Sequence, residues 1–109
     1  AAWGPGMRRY TWDDGLLADG MRLILGQYQG PDRRLYRGEH LGAYTRGKIG
    51  IAWTKHRRVA DWFARAKGGV VLETVAPARA ILGAVRCGRE GEYLVDPRLL
   101  VSVTRMQIG

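Results

Sequence analysis

The stretch IGIAWTKHRRVADWFARAKGGVVLETV, residues 49–75, contains the patterns that decide the fold. Residues 49–54 alternate apolar and small side chains, which predicts a β-strand. Apolar residues then recur at helical spacing over residues 55–67, with Thr54 as the expected N-cap and Gly68 and Gly69 as the stop. The β-branched run at residues 70–75 predicts a second strand. The stretch therefore predicts a strand, a central helix and a strand in succession.

Outward from this unit, the chain before it is mostly helical and the chain after it mostly extended. Thr11 is expected to cap an N-terminal helix that ends at a turn over residues 30–32. A short strand at residues 34–37 and one or two helical turns within 40–46 follow. Further strands are predicted at 80–85, 92–95 and 100–106. This order predicts an α+β fold with antiparallel pairing rather than a doubly wound parallel sheet.

The length of 109 residues is that of one domain. We expect residues 1–6, which precede Met7, to be a non-native extension and residues 7–109 to form a single domain. One cysteine, Cys87, excludes a disulfide framework. The longest apolar runs are far shorter than the ~20 residues needed to cross a bilayer, so no membrane partner is expected.

A net charge of +8 makes the chain attractive to nucleic acid, acidic protein surfaces or an anionic small ligand. The arginines are scattered along the sequence, and the densest groups are only pairs, at residues 8–9, 33–34 and 57–58. A single cysteine with widely spaced His40 and His56 predicts no metal site, and both histidines are expected on the surface.

Two short segments carry residues suited to ligand binding. Arg37 stands at a predicted strand end, where a guanidinium can fork onto a phosphate or carboxylate, and Gly38 lets the backbone approach a ligand. Trp53 and Thr54 end the next strand, where an aromatic ring and a hydroxyl can position a flat ligand. Each segment also has an ordinary interpretation, as a surface arginine before a turn and as a core tryptophan with a helix cap.

A third segment places two carboxylates, Glu90 and Glu92, at the mouth of an apolar strand. Residues two apart on a regular strand point the same way, so the two charges repel and fold stability does not require them. One carboxylate can stabilise an oxocarbenium-like centre while the other activates a nucleophile, as in glycosidases. The alternative is a solvated hairpin end.

In order, the three segments resemble the arginine, Ser-Thr-Ser and Glu-x-Glu motifs of the arginine-serine-glutamate class of mono-ADP-ribosyltransferases. The resemblance covers residues 35–95, including the helix that follows the middle motif. It implies a compact ADP-ribosyltransferase-like fold with mostly antiparallel, split β-sheets, one N-terminal helix and one central helix. It also implies NAD+ as the substrate and no metal.

The resemblance assigns the ligand-binding residues one by one. Arg37, followed by Gly38, is similar to the arginine that contacts the NAD+ phosphates and ribose. Thr54 is similar to the last residue of the middle motif, which braces the site, and Trp53 is expected near the nicotinamide. Phe63, on the following helix, is expected among the NAD+-binding residues.

The same resemblance assigns the catalytic residues to the acidic segment. Glu92 is similar to the catalytic glutamate, and Glu90 to the upstream glutamate that helps to deprotonate the acceptor. The Glu-x-Glu form implies arginine as the acceptor. Ala52 departs from the family, because it stands where the middle motif begins with serine.

The sequence thus predicts an NAD+-dependent mono-ADP-ribosyltransferase that modifies a macromolecule, first of all protein arginine. A bacterial toxin or phage effector of this kind would act in the cytoplasm of the producing cell or of a target cell, and a cognate inhibitor protein is a further expected partner. Two alternatives stay open. One is an NAD+ glycohydrolase or a transferase acting on nucleic acid, and the other is a non-catalytic basic module that binds nucleic acid or protein.

Overall fold

A computed structural model describes residues 17–23, 25, 27–47, 49–84 and 91–108 of the chain. The elements follow the order α1 (residues 17–23 and 25), β1 (Arg33–Glu39), α2 (Leu41–Thr45), β2 (Ala52–Thr54), α3 (Arg57–Lys67), β3 (Val70–Ala76), β4 (Ile81–Ala84), β5 (Glu92–Val95) and β6 (Thr104–Met106), with 3₁₀ turns at Ala78–Ala80 and Pro97–Leu99. The predicted α+β class with antiparallel pairing is confirmed. The expected helix cap at Thr11 lies outside the described residues. Of the helices described, none is long and apolar enough to span a bilayer.

The strands form one six-stranded sheet in the order β4-β5-β2-β1-β3-β6. The pairing is uneven, because β1 pairs with β3 along its whole length but with β2 only at Tyr36 and Thr54. The separate sheets expected from the sequence are therefore one sheet by hydrogen bonding. Its two three-stranded halves share a single residue pair, and we call this junction of β1 and β2 the seam.

Strand β3, which lies between β1 and the edge strand β6, is apolar and buried on both faces over its first three residues. Leu72 packs on one face with Leu35 and Trp53 in the larger core cluster. Val71 points to the other face, where it packs against Ala60 and Ala64 of α3. Burial on both faces explains the continuous apolar sequence at residues 70–72, whereas Glu73 is half-buried and Val75 is exposed.

Helix α3 lies close to the sheet because small residues meet at the contact. A Cβ on Gly38 would lie 2.5 Å from the carbonyl oxygen of Ala60 and 2.9 Å from the amide nitrogen of Ala64. Only glycine fits at this position of β1, so Gly38 has a packing role in addition to its place beside the candidate site. The helix ends where the sequence predicts, at Gly68 in the left-handed conformation with φ of 62°.

The N-terminus of α3 differs from the prediction. The helix begins at Arg57 and its N-cap is His56, not Thr54. The Thr54 hydroxyl accepts a hydrogen bond from the backbone amide of His56 at 3.0 Å. Thr54 therefore stabilises the turn that precedes the helix rather than the first turn of the helix itself. Thr54 itself stays extended because it belongs to β2 and pairs with β5.

Strand β2 is shorter than predicted and leaves out residues 49–51. The backbone there uses its polar groups locally: the amide of Gly50 donates to the Glu39 carboxylate at 3.3 Å, and its carbonyl accepts from the Trp53 indole at 3.1 Å. A residue bonded in this way is not available to a β-ladder. The last strand is also shorter than predicted, covering Thr104–Met106 rather than residues 100–106.

A buried carboxylate fastens α1 to the segment after β5. Asp96 is 1% exposed and accepts hydrogen bonds from the Arg98 guanidinium at 2.8 and 2.9 Å and from Arg22 of α1 at 3.3 Å. Burial alone would raise the pKa of Asp96, but the hydrogen bonds from the side chain and backbone of Arg98, together with the one from Arg22, lower it below its ordinary value. The hydrogen bond to Asp96 in turn raises the pKa of Arg98.

Candidate functional site

A cavity of about 140 Å³ opens between α3 and the seam. Its walls come from β1, β2, α3 and the first residue of β5: Tyr36, Arg37, Gly38, Ala52, Trp53, Thr54, Val59, Ala60, Phe63, Lys67 and Glu92. Six of the residues selected from the sequence line this one cavity, namely Arg37, Gly38, Trp53, Thr54, Phe63 and Glu92. Glu90 lies outside the described residues.

The floor of the cavity is a row of three residues on neighbouring strands. Tyr36 of β1 pairs with Thr54 of β2, which pairs with Glu92 of β5. Directly paired residues in a sheet project to the same face, so these three side chains lie side by side. Neighbouring strands are about 4.8 Å apart, so the row spans roughly 10 Å between its outer Cα atoms.

Arg37 is held at the seam by a fixed set of contacts. Its Nε donates to Glu39 Oε2 at 2.7 Å, and its Nη1 donates to the carbonyl oxygen of Ala52 at 2.7 Å. The guanidinium also lies against Gly50, where a Cβ would come within 2.6 Å of the Arg37 Cζ. A guanidinium has five N–H donors, and these contacts with described residues use two of them. Arg37 pairs with Leu72, so its side chain leaves β1 on the face opposite Tyr36, Thr54 and Glu92, and it borders the cavity at the seam.

The carboxylate that orients Arg37 is itself fully engaged. Glu39 is 5% exposed and also accepts from the backbone amides of His40 at 3.1 Å and Gly50 at 3.3 Å. A buried carboxylate with three donors has a fixed position, so it fixes the guanidinium as well. Sequence reasoning missed Glu39, although its position two residues after Arg37 on the same strand places both side chains on one face.

Trp53 borders the cavity, but its ring belongs to the core. It is 1% exposed, packs in the larger core cluster and donates its Nε1 proton to the Gly50 carbonyl. The aromatic wall of the cavity is formed instead by Phe63 of α3, and Lys67 Nζ lies 5.3 Å from the centre of that ring. Lys67 was not selected from the sequence, although its spacing of four residues from Phe63 puts both on one face of the helix.

Glu92 differs from the other acidic residues that the structure describes. The carboxylates of the others each have a hydrogen bond or ion pair, namely Asp19, Asp32, Glu39, Asp61, Glu73 and Asp96. Glu92 has neither with any described residue, and it is half-buried at the cavity rim. A carboxylate without a partner in a confined site is available to a ligand that carries positive charge or a hydroxyl group.

The residue before Glu92 is fixed by its backbone. Gly91 has φ of 82°, and a Cβ there would lie 2.8 Å from His56 Nε2 and 3.0 Å from Lys55 Cγ. Its carbonyl accepts from the amide of Lys55 at 3.0 Å. Position 91 therefore strongly favours glycine, and Gly91 is hydrogen-bonded to Lys55, two residues before α3.

The cavity thus combines a carboxylate, two cations and an aromatic wall. The cations Arg37 and Lys67 suit phosphate groups, Phe63 suits a flat ring, and Glu92 suits a developing positive charge. Within the described residues, no group of three or more His, Cys, Asp or Glu side chains is arranged to hold a metal ion.

Comparison of the chain with family models, with curated proteins and with solved structures gave no match. The functional proposal therefore depends on the residues of the cavity and on the motif order of the sequence.

Proposed function

We propose that the protein is an NAD+-dependent mono-ADP-ribosyltransferase whose active site is the cavity at the seam. The observation that carries the proposal is Glu92, the carboxylate without a partner among the described residues, in the same cavity as Arg37. The resemblance of the sequence motifs to the arginine-serine-glutamate class also supports it, because that resemblance depends on motif order and not on the shape of the cavity.

The size of the cavity supports a ring-sized group in its interior. A cavity of about 150 Å³ holds a benzene molecule, and this one has about 140 Å³. NAD+ as a whole is larger, so the nicotinamide would enter beside Phe63 while the ribose and phosphates lie along the open seam. The roughly 10 Å row of paired residues leads from Glu92 to Tyr36 on the α3 face. Arg37, which follows Tyr36 on β1, would meet the pyrophosphate at the seam rather than within the row.

In the proposed reaction the bond between the nicotinamide nitrogen and the anomeric carbon breaks, and nicotinamide leaves neutral with the electron pair. Glu92 stabilises the positive charge that develops on the ribose. The acceptor's nucleophilic atom then bonds to the anomeric carbon and passes its proton to Glu90, the residue to which the family resemblance assigns this step, and from there to water. Nicotinamide is a good leaving group, so positioning and electrostatic stabilisation supply most of the catalysis.

Ala52, the departure from the family motif, has a backbone role in this site. Its carbonyl oxygen accepts the Arg37 Nη1 proton at 2.7 Å. Any residue supplies a carbonyl, so alanine serves this purpose as well as serine would. The loss of a serine hydroxyl beside Glu92 is offset only by Thr54, which pairs directly with Glu92 and has a hydroxyl proton of its own to donate.

Two variants test the proposal against a matched control. Glu92→Gln keeps the shape of the side chain and removes its charge, so we expect NAD+ still to stabilise the fold while nicotinamide release falls at least 100-fold. Arg37→Ala should remove the stabilisation by NAD+, which at 100 times the dissociation constant amounts to about 2.7 kcal/mol. Glu73→Gln is the control, because Glu73 pairs with Arg34 outside the cavity.

The measurements are thermal melting with and without NAD+, and release of nicotinamide from labelled NAD+. Full nicotinamide release by Glu92→Gln, or equal losses in the control, would contradict the proposal. The position of the label also separates the alternatives, since it is found on protein for a protein transferase, on nucleic acid for a nucleic-acid transferase, and in free ADP-ribose for a glycohydrolase. Arginine as the acceptor, and a role as toxin or effector opposed by an inhibitor protein, stay predictions.

A further inference from the structure

The solvent-facing side of α3 carries an exposed stripe of Arg58, Trp62 and Arg65. All three are exposed, and the Trp62 side chain is 62% exposed although it is large and apolar. At 3.6 residues per turn, positions 58, 62 and 65 lie within an arc of about 60°. The stripe is therefore continuous along the helix, with the indole between two guanidinium groups.

More positive charge lies at the N-terminal end of the stripe. Lys55 is exposed, and it lines a second pocket together with Arg57 and Arg58. The acidic residue of α3, Asp61, is turned towards Arg57 at 3.8 Å and its side chain is only 15% exposed. Negative charge on the helix is thus directed away from the stripe.

The Trp62 indole contacts the aromatic wall of the cavity. Trp62 meets the Phe63 ring edge to face, with centroids 5.1 Å apart and planes at 83°. Phe63 lines the cavity at the seam, so the stripe borders the candidate site. An exposed aromatic face between cations is the arrangement on which an unpaired base stacks while the neighbouring phosphates meet the guanidinium groups.

We propose that the stripe of Arg58, Trp62 and Arg65 binds single-stranded nucleic acid. Arg58 and Arg65 are about 10 Å apart along the helix axis, so a base stacked on Trp62 has a guanidinium on each side to meet the neighbouring phosphates. A duplex keeps its base faces stacked inside and has no face to offer Trp62. A membrane surface would need a broad apolar face, whereas Ala60 and Ala64 of this helix are buried against the sheet. The binding is independent of the proposed transferase activity.

The test is fluorescence anisotropy of labelled 12-nucleotide DNA and RNA strands and of the matching duplex, without NAD+. We expect the wild type to prefer the single strands. Trp62→Ala should weaken that binding by about 5- to 150-fold, the effect of losing one base–aromatic stack, and Trp62→Phe should keep most of it. Thermal melting of each variant establishes that it is folded.

A double variant separates local contacts from overall charge. Each phosphate contact adds about 0.7 to the slope of log affinity against log salt for single strands, so Arg58→Ala/Arg65→Ala should reduce the slope by about 1.4. Arg79→Ala/Arg105→Ala is the matched control, since both arginines are exposed outside α3 and the change in net charge is the same.

Three results would each overturn the inference. The first is wild-type protein that binds none of the strands. The second is equal loss of binding in the two double variants, with Trp62→Ala unchanged, because that would indicate non-specific attraction to a polyanion. The third is tighter, Trp62-dependent binding to vesicles of anionic phospholipid, which would indicate a membrane surface instead.

Discussion

Gly50→Ala would displace Arg37 without removing any residue of the cavity. A Cβ at this position would lie 2.6 Å from Arg37 Cζ and 3.1 Å from its Nε. The obstructed atoms form the far end of a flexible side chain, so the guanidinium can swing away while the backbone keeps its course. The substitution therefore breaks the contacts of Arg37 with Glu39 and with the Ala52 carbonyl.

The cost follows from those two hydrogen bonds. The charge-assisted bond to the buried Glu39 contributes about 1.5–3 kcal/mol, and the bond to the Ala52 carbonyl about 1 kcal/mol. Alanine offsets about 0.5 kcal/mol by restricting the unfolded chain. We expect the free energy of unfolding to fall by about 2.5 kcal/mol, which for a domain of this size lowers Tm by about 10 °C. Stabilisation by NAD+ should also disappear, because Arg37 no longer faces the seam.

The assay is thermal melting followed by circular dichroism, with and without NAD+. Gly42→Ala is the matched control, because its Cβ would meet only Arg46 Nη2 at an ordinary 3.8 Å. Gly42 lies in α2, so alanine there should keep or raise Tm. If Gly50→Ala melts like the control and keeps its response to NAD+, the reasoning about the position of Arg37 is wrong.

Two further substitutions test packing and electrostatics away from the proposed chemistry. Gly38→Ala should lower the free energy of unfolding by about 3 kcal/mol in urea denaturation, because its Cβ would meet backbone atoms of Ala60 and Ala64 that can move only with the whole helix; an unchanged denaturation midpoint would contradict this contact. Asp96→Asn should cost about 1–3 kcal/mol at pH 7. The folded pKa of Asp96 is lowered, so its stabilisation is present above the unfolded pKa of about 3.9 and is lost as pH falls through the folded pKa. The free energies of unfolding of the variant and the wild type should therefore converge in an acid titration. A constant difference down to low pH would refute the assignment.

The sequence predicted the fold where local pattern and tertiary environment agree. The central helix and the strand after it follow from apolar spacing and from Gly68, and the structure has both. The prediction of a strand over residues 49–51 was wrong because Gly50 gives its amide to Glu39 and its carbonyl to Trp53. Glu39 is distant in sequence and accepts through its carboxylate, and Trp53 donates through its indole. The alternation of apolar residues contains no information about such hydrogen bonds.

The motif residues of the candidate site could be selected from the sequence, but the residues that contact and orient them could not. Arg37 and Glu92 were selected from motif order, whereas Lys67 and Glu39 become visible only once helix faces and strand register are known. The stripe on α3 was missed for a different reason. Arginines that are neighbours in the sequence form only pairs, so the positive charge looks scattered. Helical spacing nevertheless places Arg58 and Arg65 on the same face of α3.

The position of the cavity follows from how the seam satisfies its backbone groups. Buried backbone groups require partners, yet β1 and β2 share one residue pair. Beyond that pair, side chains replace the ladder: Arg37 binds the Ala52 carbonyl and Glu39 binds the Gly50 amide. The Arg37–Glu39 ion pair, which helps to join the two halves of the sheet, therefore also holds the Arg37 guanidinium beside the cavity. In the proposed site an anion would meet the Arg37 donors that these two contacts leave over, so one side chain would both join the halves of the sheet and meet the ligand.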